Sequence, residues 1–214
     1  MDWYHVLNRG VDKRVVFLDD TDRARFIHDL FVFNDQRHAL HPHMSDRKNE
    51  RKQRKLLVHL HAFCLMGNHY HLLLSEAIPG GISFFMKKLN MGYAKYFNEK
   101  YDRSGALWQG KFKKKLLQRD AHFMYIPYYI HLNALDFSMP EWRTGNVTNI
   151  KKAFEQLENY QWSSHLDYLG KKNFPSITER EELASIIGTR EKYKKEIGRI
   201  ISNPDIAIGS QNIE

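Results

Sequence analysis

The chain of 214 residues holds a single cysteine, so no disulfide can form within it. A reducing, cytoplasmic compartment is the expected location. Cys64 lies in the apolar run Ala62-Phe63-Cys64-Leu65-Met66 and reads as core rather than as a nucleophile. No apolar run approaches the roughly 20 residues that cross a bilayer. Met1-Asp2-Trp3-Tyr4-His5 has neither the basic start nor the apolar stretch of a signal peptide, so no membrane association is expected. Internal repeats and low-complexity tracts are lacking, which argues against a solenoid or a fibrous chain. Acidic side chains are outnumbered: 25 Asp and Glu face 33 Lys and Arg, for a net charge of +8. Such a balance points to a polyanionic partner, with nucleic acid the commonest, although an ordinary basic protein satisfies it equally.

What is present is a succession of short apolar segments. Tyr4-His5-Val6-Leu7-Asn8 is rich in strand formers and is closed by Arg9-Gly10. Asp19-Asp20-Thr21-Asp22 supplies helix-start residues. Ala24, Phe26, Ile27, Leu30, Phe31 and Phe33 follow at helical spacing, predicting a helix over 21–33. Residues 36–55 break the pattern with Pro42 and a basic run from Arg47 to Lys55, read as a solvated loop or helix with DNA contact as the alternative. Leu56 to Met66 and His69 to Ser75 read as strands joined by a Gly67-Asn68 turn. Ile82, Phe85, Met86, Leu89, Tyr93, Tyr96 and Phe97 form an amphipathic stripe, predicting a helix over 82–98. Leu107 to Gln118 reads as a strand on which Lys111, Lys113 and Lys115 share one face. Asp120 is the expected cap of a helix over 121–132 that Pro127 kinks or begins. A further helix is expected near 150–160. The order strand–helix–strand–strand–helix–strand predicts an α+β, ferredoxin-like split βαβ antiparallel sheet, with two helices on one face and the other open to a site or an added helix. Residues 1–170 are expected to form the working domain and 171–214 a C-terminal helical appendage.

The chemistry concentrates in histidines. His41-Pro42-His43 lies in the polar insertion, where nothing fixes its geometry. His59-Leu60-His61 and His69-Tyr70-His71 fall on strands, where residues two apart point the same way and can converge on one ion, or serve as ordinary face residues. The second pair runs into Leu72-Leu73-Leu74, an apolar run suited to a central strand. Two imidazoles leave an ion under-coordinated, so a third ligand must come from elsewhere. The 121–132 helix carries Tyr125, Tyr128 and Tyr129. A tyrosine nucleophile and a ligand on one helical face stand three or four residues apart, which among the three selects Tyr129, with Asn133. Packing alone would also account for such a ring. A divalent ion on a phosphate would neutralise charge in the transition state, and attack by a phenol would store the bond as a phosphotyrosine.

At this point the chain resembles a known family. Cys64-Leu65-Met66-Gly67-Asn68-His69-Tyr70-His71-Leu72-Leu73-Leu74 is similar to the His-hydrophobic-His motif of the single-tyrosine HUH transposases, which include those associated with repetitive extragenic palindromes. Tyr4-His5-Val6 with Asn8-Arg9-Gly10, Leu107-Trp108-Gln109-Gly110-Lys111-Phe112, Tyr129-Ile130-His131-Leu132-Asn133, and Trp162-Ser163-Ser164 with Tyr168-Leu169-Gly170 agree in order. The resemblance implies His69, His71 and Asn133 as ligands of Mg²⁺ or Mn²⁺ and Tyr129 as the nucleophile. It also implies single-stranded, hairpin-forming DNA as the partner, cut through a 5′-phosphotyrosine. Arg9, Lys111, Lys113 and Lys115 are the expected DNA contacts, and Trp108 is a stacking candidate for which core packing is the simpler fate. Two departures stand out: Gly67 replaces the usual Pro, and Asn133 is followed by Ala134-Leu135-Asp136-Phe137 instead of Pro-Val-Arg-Ala. A homodimer exchanging the tyrosine helix and a monomer keeping it both suit the pattern. A hairpin-binding protein that does not cut, or a replication-initiator or relaxase nuclease, are the competing readings.

Overall fold

The computed structural model describes residues 2–37, 54–117 and 121–208. Four strands form one sheet: β1 (Trp3–Arg9), β2 (Val58–Leu65), β3 (His69–Glu76) and β4 (Lys113–Leu117). Their spatial order is β2-β3-β1-β4 and every neighbouring pair is antiparallel. Helix α1 (Asp20–Val32) joins β1 to β2 and α2 (Gly81–Lys100) joins β3 to β4. This is the split βαβ arrangement that the alternation of periods predicts. Local signals set the element ends. Asp19 accepts a hydrogen bond from the Asp22 amide at 2.8 Å and so caps α1. Arg54, the last arginine of the basic run, donates to the carbonyls of Phe31 and Asn34 at 2.5 and 2.9 Å, satisfying groups left open where α1 ends. Residues 38–53, with His41, Pro42 and His43, lie outside the described residues, as do Gln118 and Asp120.

The period of two along the strands divides the sheet into two faces. Val6, Leu60, Phe63, Tyr70, Leu72 and Leu74 pack against Phe26 and Leu30 of α1 and Phe85, Met86, Leu89 and Tyr93 of α2. The opposite face carries Trp3, Ala62, Cys64, Leu73 and Leu117. It is covered by α3 (Ala121–Leu132), two short 3-10 turns (Asn133–Phe137 and Pro140–Thr144), α4 (Ile150–Asn159), α5 (His165–Tyr168), α6 (Glu181–Ile187) and α7 (Arg190–Ile201), with α8 (Pro204–Ile208) beyond. Leu183, Ile187, Tyr193, Ile197, Ile200 and Ile201 belong to the same buried cluster as Tyr128 and Tyr129, so the helices after residue 170 share the core of the tyrosine helix. Among the described residues, no helix is long and apolar enough to cross a membrane.

Trp162-Ser163-Ser164 runs along the outer edge of β2. Leu65 donates to the Trp162 carbonyl at 2.9 Å, Ser164 donates to the Phe63 carbonyl at 3.0 Å, and Phe63 donates to the Ser164 hydroxyl at 2.9 Å. These bonds occupy backbone groups that an edge strand would otherwise expose.

One expectation needs correction. The fourth strand starts at Lys113 and not at Leu107. Leu107 and Trp108 turn into the core beneath α2, where the Trp108 indole donates to the Asn90 carbonyl at 3.0 Å, and Gly110 adopts φ 157°. Lys111 therefore precedes the strand, while Lys113 and Lys115 remain on one face and exposed. For His61 the structure shows packing and hydrogen bonds, one of the two readings open to the His59-Leu60-His61 triplet. A register shift between Leu60 and Ala62 sets His61 against Trp3, with ring centroids 4.0 Å apart, and its nitrogens meet Ser75 Oγ at 2.8 Å and the Glu179 carbonyl at 3.2 Å.

Candidate active site

The face under α3 can be read in rows across the sheet, because residues directly opposite in antiparallel strands point the same way. His69 stands opposite Arg9. His71 lies between Cys64 and Leu7, and Leu7 is opposite Lys113. His5 lies between Leu73 and Lys115. The register thus gathers His69, His71, His5, Arg9, Lys113 and Lys115 on one surface. Above them the Tyr129 ring meets His71 edge-on at a centroid distance of 5.7 Å and His5 at 6.1 Å. The predicted nucleophile and the predicted imidazole pair are together within one chain.

The hydrogen bond to His69 determines which of its ring nitrogens is offered. Asn68 Nδ2 donates to the Lys13 carbonyl at 3.0 Å, so its Oδ1 is the atom that faces His69 Nδ1, at 2.5 Å. An amide oxygen only accepts, hence His69 Nδ1 carries the proton and Nε2 keeps its lone pair. His71 Nδ1 lies 2.9 Å from His5 Nε2, and His71 Nε2 is buried with no hydrogen-bond partner among the described residues. With Nδ1 donating to His5, His71 offers Nε2 as a lone pair, which is the tautomer a metal-ligating histidine needs, its other nitrogen donating to a fixed partner. Burial, then the charges of His5, His69, Arg143 and Arg9, depress the His71 pKa well below its ordinary value and keep it neutral. This donor set fits a divalent cation.

Among the described residues, no three His, Cys, Asp or Glu side chains are arranged to hold an ion. A coordination shell at His69 and His71 would need another ligand type, such as an amide or a phosphate oxygen. Asn133 stands one turn after Tyr129, where α3 passes into the Asn133–Phe137 turn. Its Nδ2 donates to the Tyr129 carbonyl at 2.8 Å and its Oδ1 accepts from Arg143 Nη2 at 2.8 Å. The guanidinium of Arg143 is therefore its side-chain neighbour. The amide oxygen has a second lone pair to offer.

A family model for IS200-like transposases matches residues 26–133, just over half of the chain. The chain belongs to that family. The match spans His69, His71, Tyr129 and Asn133 alike, and transposition with DNA as the substrate class is the role it carries. Among solved structures, a tyrosine transposase associated with repetitive extragenic palindromes, bound to such a hairpin, is similar at 12% identity over 84% of this chain and 88% of its own, with a TM-score of 0.47. That likeness is too slight to bear on residue roles. No curated protein matches.

Two residues of this cluster have no role in the sequence reading. His5 is a lone histidine on β1 without a partner at strand spacing; only the β1–β3 register brings it to His71. Arg143 comes from the Pro140–Thr144 turn. Its Nε and Nη2 grip both oxygens of Asp136 at 2.9 and 2.6 Å, and its Nη1 donates to Tyr129 Oη at 3.2 Å. Burial opposes its charge, but the hydrogen bonds with Asp136 and Tyr129 more than offset that, and its pKa is raised. The family's usual arginine just after Asn133 is missing from this sequence, and a guanidinium reaches the tyrosine from ten residues further on. The one cue in sequence was Pro140-Glu141-Trp142-Arg143, a turn with a large aromatic anchor.

Proposed function

We propose that this protein cleaves and rejoins single-stranded DNA at hairpin-forming sequences, with Tyr129 as the nucleophile and His69, His71 and Asn133 holding Mg²⁺ or Mn²⁺. The observation that carries the reading is the Tyr129 ring seated against His71 in the stretch matched by the family. The hairpin preference and the choice of ion rest on the resemblance of the motifs. When bound, the ion supplies charge neutralisation on the scissile phosphate.

Tyr129 Oη attacks phosphorus, the bond from phosphorus to the 3′ oxygen breaks, and the phenolic proton passes, through solvent, to the leaving 3′ oxygen. The products are a 5′-phosphotyrosine and a free 3′-OH. Attack by a 3′-OH on that linkage reverses the step, so bond energy is kept and no water is consumed. His69 and His71 would hold the ion through their Nε2 lone pairs, and the ion would in turn orient the phosphate. Asn68 and His5 hold the rings in the required tautomers, and Arg9, Lys113 and Lys115 draw the backbone of the strand onto this face.

The test is an SDS-stable adduct formed with Mg²⁺ or Mn²⁺ on a single-stranded hairpin oligonucleotide. A label on the 3′ side of the cut travels with the protein, and a 5′ label appears on a shortened strand. Tyr129→Phe abolishes the adduct, and His71→Ala weakens Mn²⁺ binding in titration calorimetry. An adduct that survives Tyr129→Phe refutes the nucleophile, and an unstructured oligonucleotide cut equally well refutes the hairpin preference.

A further inference from the structure

Arg143 is placed with unusual care for a partly exposed cation. The Pro140–Thr144 turn that carries it is anchored by Trp142, which is fully buried and donates through its indole to Asp136 Oδ1 at 2.7 Å. The turn ends at Gly145 in the left-handed region, φ 68°, and a Cβ there would stand 2.3–2.5 Å from the backbone of Asn203 and Pro204. The Val147 amide then donates to the Ile201 carbonyl at 3.0 Å. The turn is therefore pressed onto the end of α7. Asp136 binds the guanidinium through two parallel bonds, which fixes its plane as well as its position. The guanidinium also lies over the Tyr129 ring, 5.5 Å from its centroid.

Two N–H groups of this fixed plane then point away from Asp136. One goes to Tyr129 Oη at 3.2 Å and the other to Asn133 Oδ1 at 2.8 Å. A contact meant only to seat α3 has no need to end on the phenolic oxygen, since α3 is already held by Ile126, Tyr128, Ile130 and Leu132 in the core. Resting on the proposed function, we infer that Arg143 is a catalytic residue that stabilises the negative charge on Tyr129 Oη as that oxygen attacks phosphorus and again as it departs during rejoining. The guanidinium stays protonated throughout and is not the base. It acts as a preorganised donor aimed at the atom whose charge changes, and its fixed plane needs no reorganisation during the step. Because the same oxygen is nucleophile in cleavage and leaving group in rejoining, both directions gain. Asn133 receives the other bond, so one guanidinium registers the nucleophile against the amide one helical turn away.

The experiment compares wild type, Arg143→Ala, Arg143→Lys, Arg143→Gln and Tyr129→Phe in single-turnover adduct formation at saturating 3′-labelled hairpin DNA with Mg²⁺. Loss of the donor is expected to slow adduct formation by about 100- to 1000-fold, the usual cost of removing one such contact. DNA affinity is expected to change by less than about threefold, because the contact strengthens in the transition state and not on binding. Added guanidinium at millimolar concentration should speed Arg143→Ala at least about tenfold, but neither wild type nor Tyr129→Phe, and Arg143→Lys should retain part of the rate. Arg143→Gln keeps a planar amide beside Asp136 and serves if the alanine variant does not fold. Rates within about threefold of wild type, or a slowed rate that guanidinium leaves unchanged and that tracks weakened DNA binding, overturn the inference while the tyrosine mechanism stands. Failure of wild type to form any adduct overturns both.

Discussion

Replacing Tyr193 by Phe removes one oxygen from the middle of a chain of buried hydrogen bonds. Tyr193 Oη lies 2.7 Å from His131 Nδ1 and 2.8 Å from His165 Nδ1. His131 Nε2 lies 2.8 Å from Ser164 Oγ, which is also 3.3 Å from the Phe63 carbonyl. With the Ser164 hydroxyl donating to that carbonyl, the chain runs in one direction: His165 donates to Tyr193, Tyr193 to His131, His131 to Ser164, and Ser164 to Phe63. His131, Ser164 and His165 are fully buried, as is Tyr193. The chain links β2, the tyrosine helix α3 and the C-terminal helix α7. In Tyr193→Phe the His165 Nδ1–H loses its acceptor and His131 Nδ1 loses its donor. Neither ring can escape by changing tautomer: His165 Nε2 is already buried with no partner among the described residues, and His131 Nε2 must still answer Ser164. Each buried group left unmatched costs about 1–3 kcal/mol, so the variant should lose about 2–4 kcal/mol once the easier burial of Phe is set against it. For a chain of this size that is a fall in Tm of roughly 5–15 °C. Urea unfolding followed by circular dichroism measures it, with m expected unchanged. A loss below about 1 kcal/mol would refute the directed chain, since it would mean that water or a rearranged ring satisfies the histidines.

Acid should destabilise the fold early. Burial lowers His61 to about 4 and His165 to about 3, and depresses His71 and His131 well below the ordinary value. These groups are neutral when folded, while the unfolded chain takes up protons near pH 6.5, so their contribution is complete above that pH and is lost as pH falls toward the folded values. Each gives a limiting slope of about 1.4 kcal/mol per pH unit, and unfolding free energies measured in EDTA between pH 6.5 and 4 should fall more steeply than one such group allows; a shallower slope contradicts the neutral assignments. Lys113→Gln with Lys115→Gln should weaken binding of single-stranded DNA at low salt and flatten the plot of log K against log salt by about 0.7 per lysine, and an unchanged slope would remove them from the interface. His5→Phe cannot accept from His71 Nδ1 and should lower Mn²⁺ affinity about 10- to 100-fold by calorimetry, with wild-type affinity counting against the tautomer role.

Much of the frame is legible in short-range pattern. The alternation in His69-Tyr70-His71 puts both imidazoles on one face in any strand, and the stripe from Ile82 to Phe97 buries one side of any helix. The spacing of Tyr129 and Asn133 likewise holds in any helix, and their bond at 2.8 Å realises it. Pattern failed where two segments competed for the same surface. The alternation from Leu107 to Phe112 looked like a continuous strand, but Trp108 is claimed by the core under α2, and pairing with β1 resumes only at Lys113. His59 and His61 have the same spacing as His69 and His71. The irregular register of β2 and the Trp3 ring separate their fates.

The sequence alone settles much of what depends on neighbours within about four residues: the amphipathic helices, the hairpin, two imidazoles on one strand face, and Tyr129 one turn before Asn133. Contacts that close across the chain were decided only by tertiary structure. His5 meets His71 across 66 positions, Tyr193 meets His131 across 62, and Arg143 reaches Tyr129 from a turn seated on the end of α7. Local periodicity dictates the direction in which a side chain leaves its own element, but the identity of what waits there depends on which elements pack, and that is a property of the whole core.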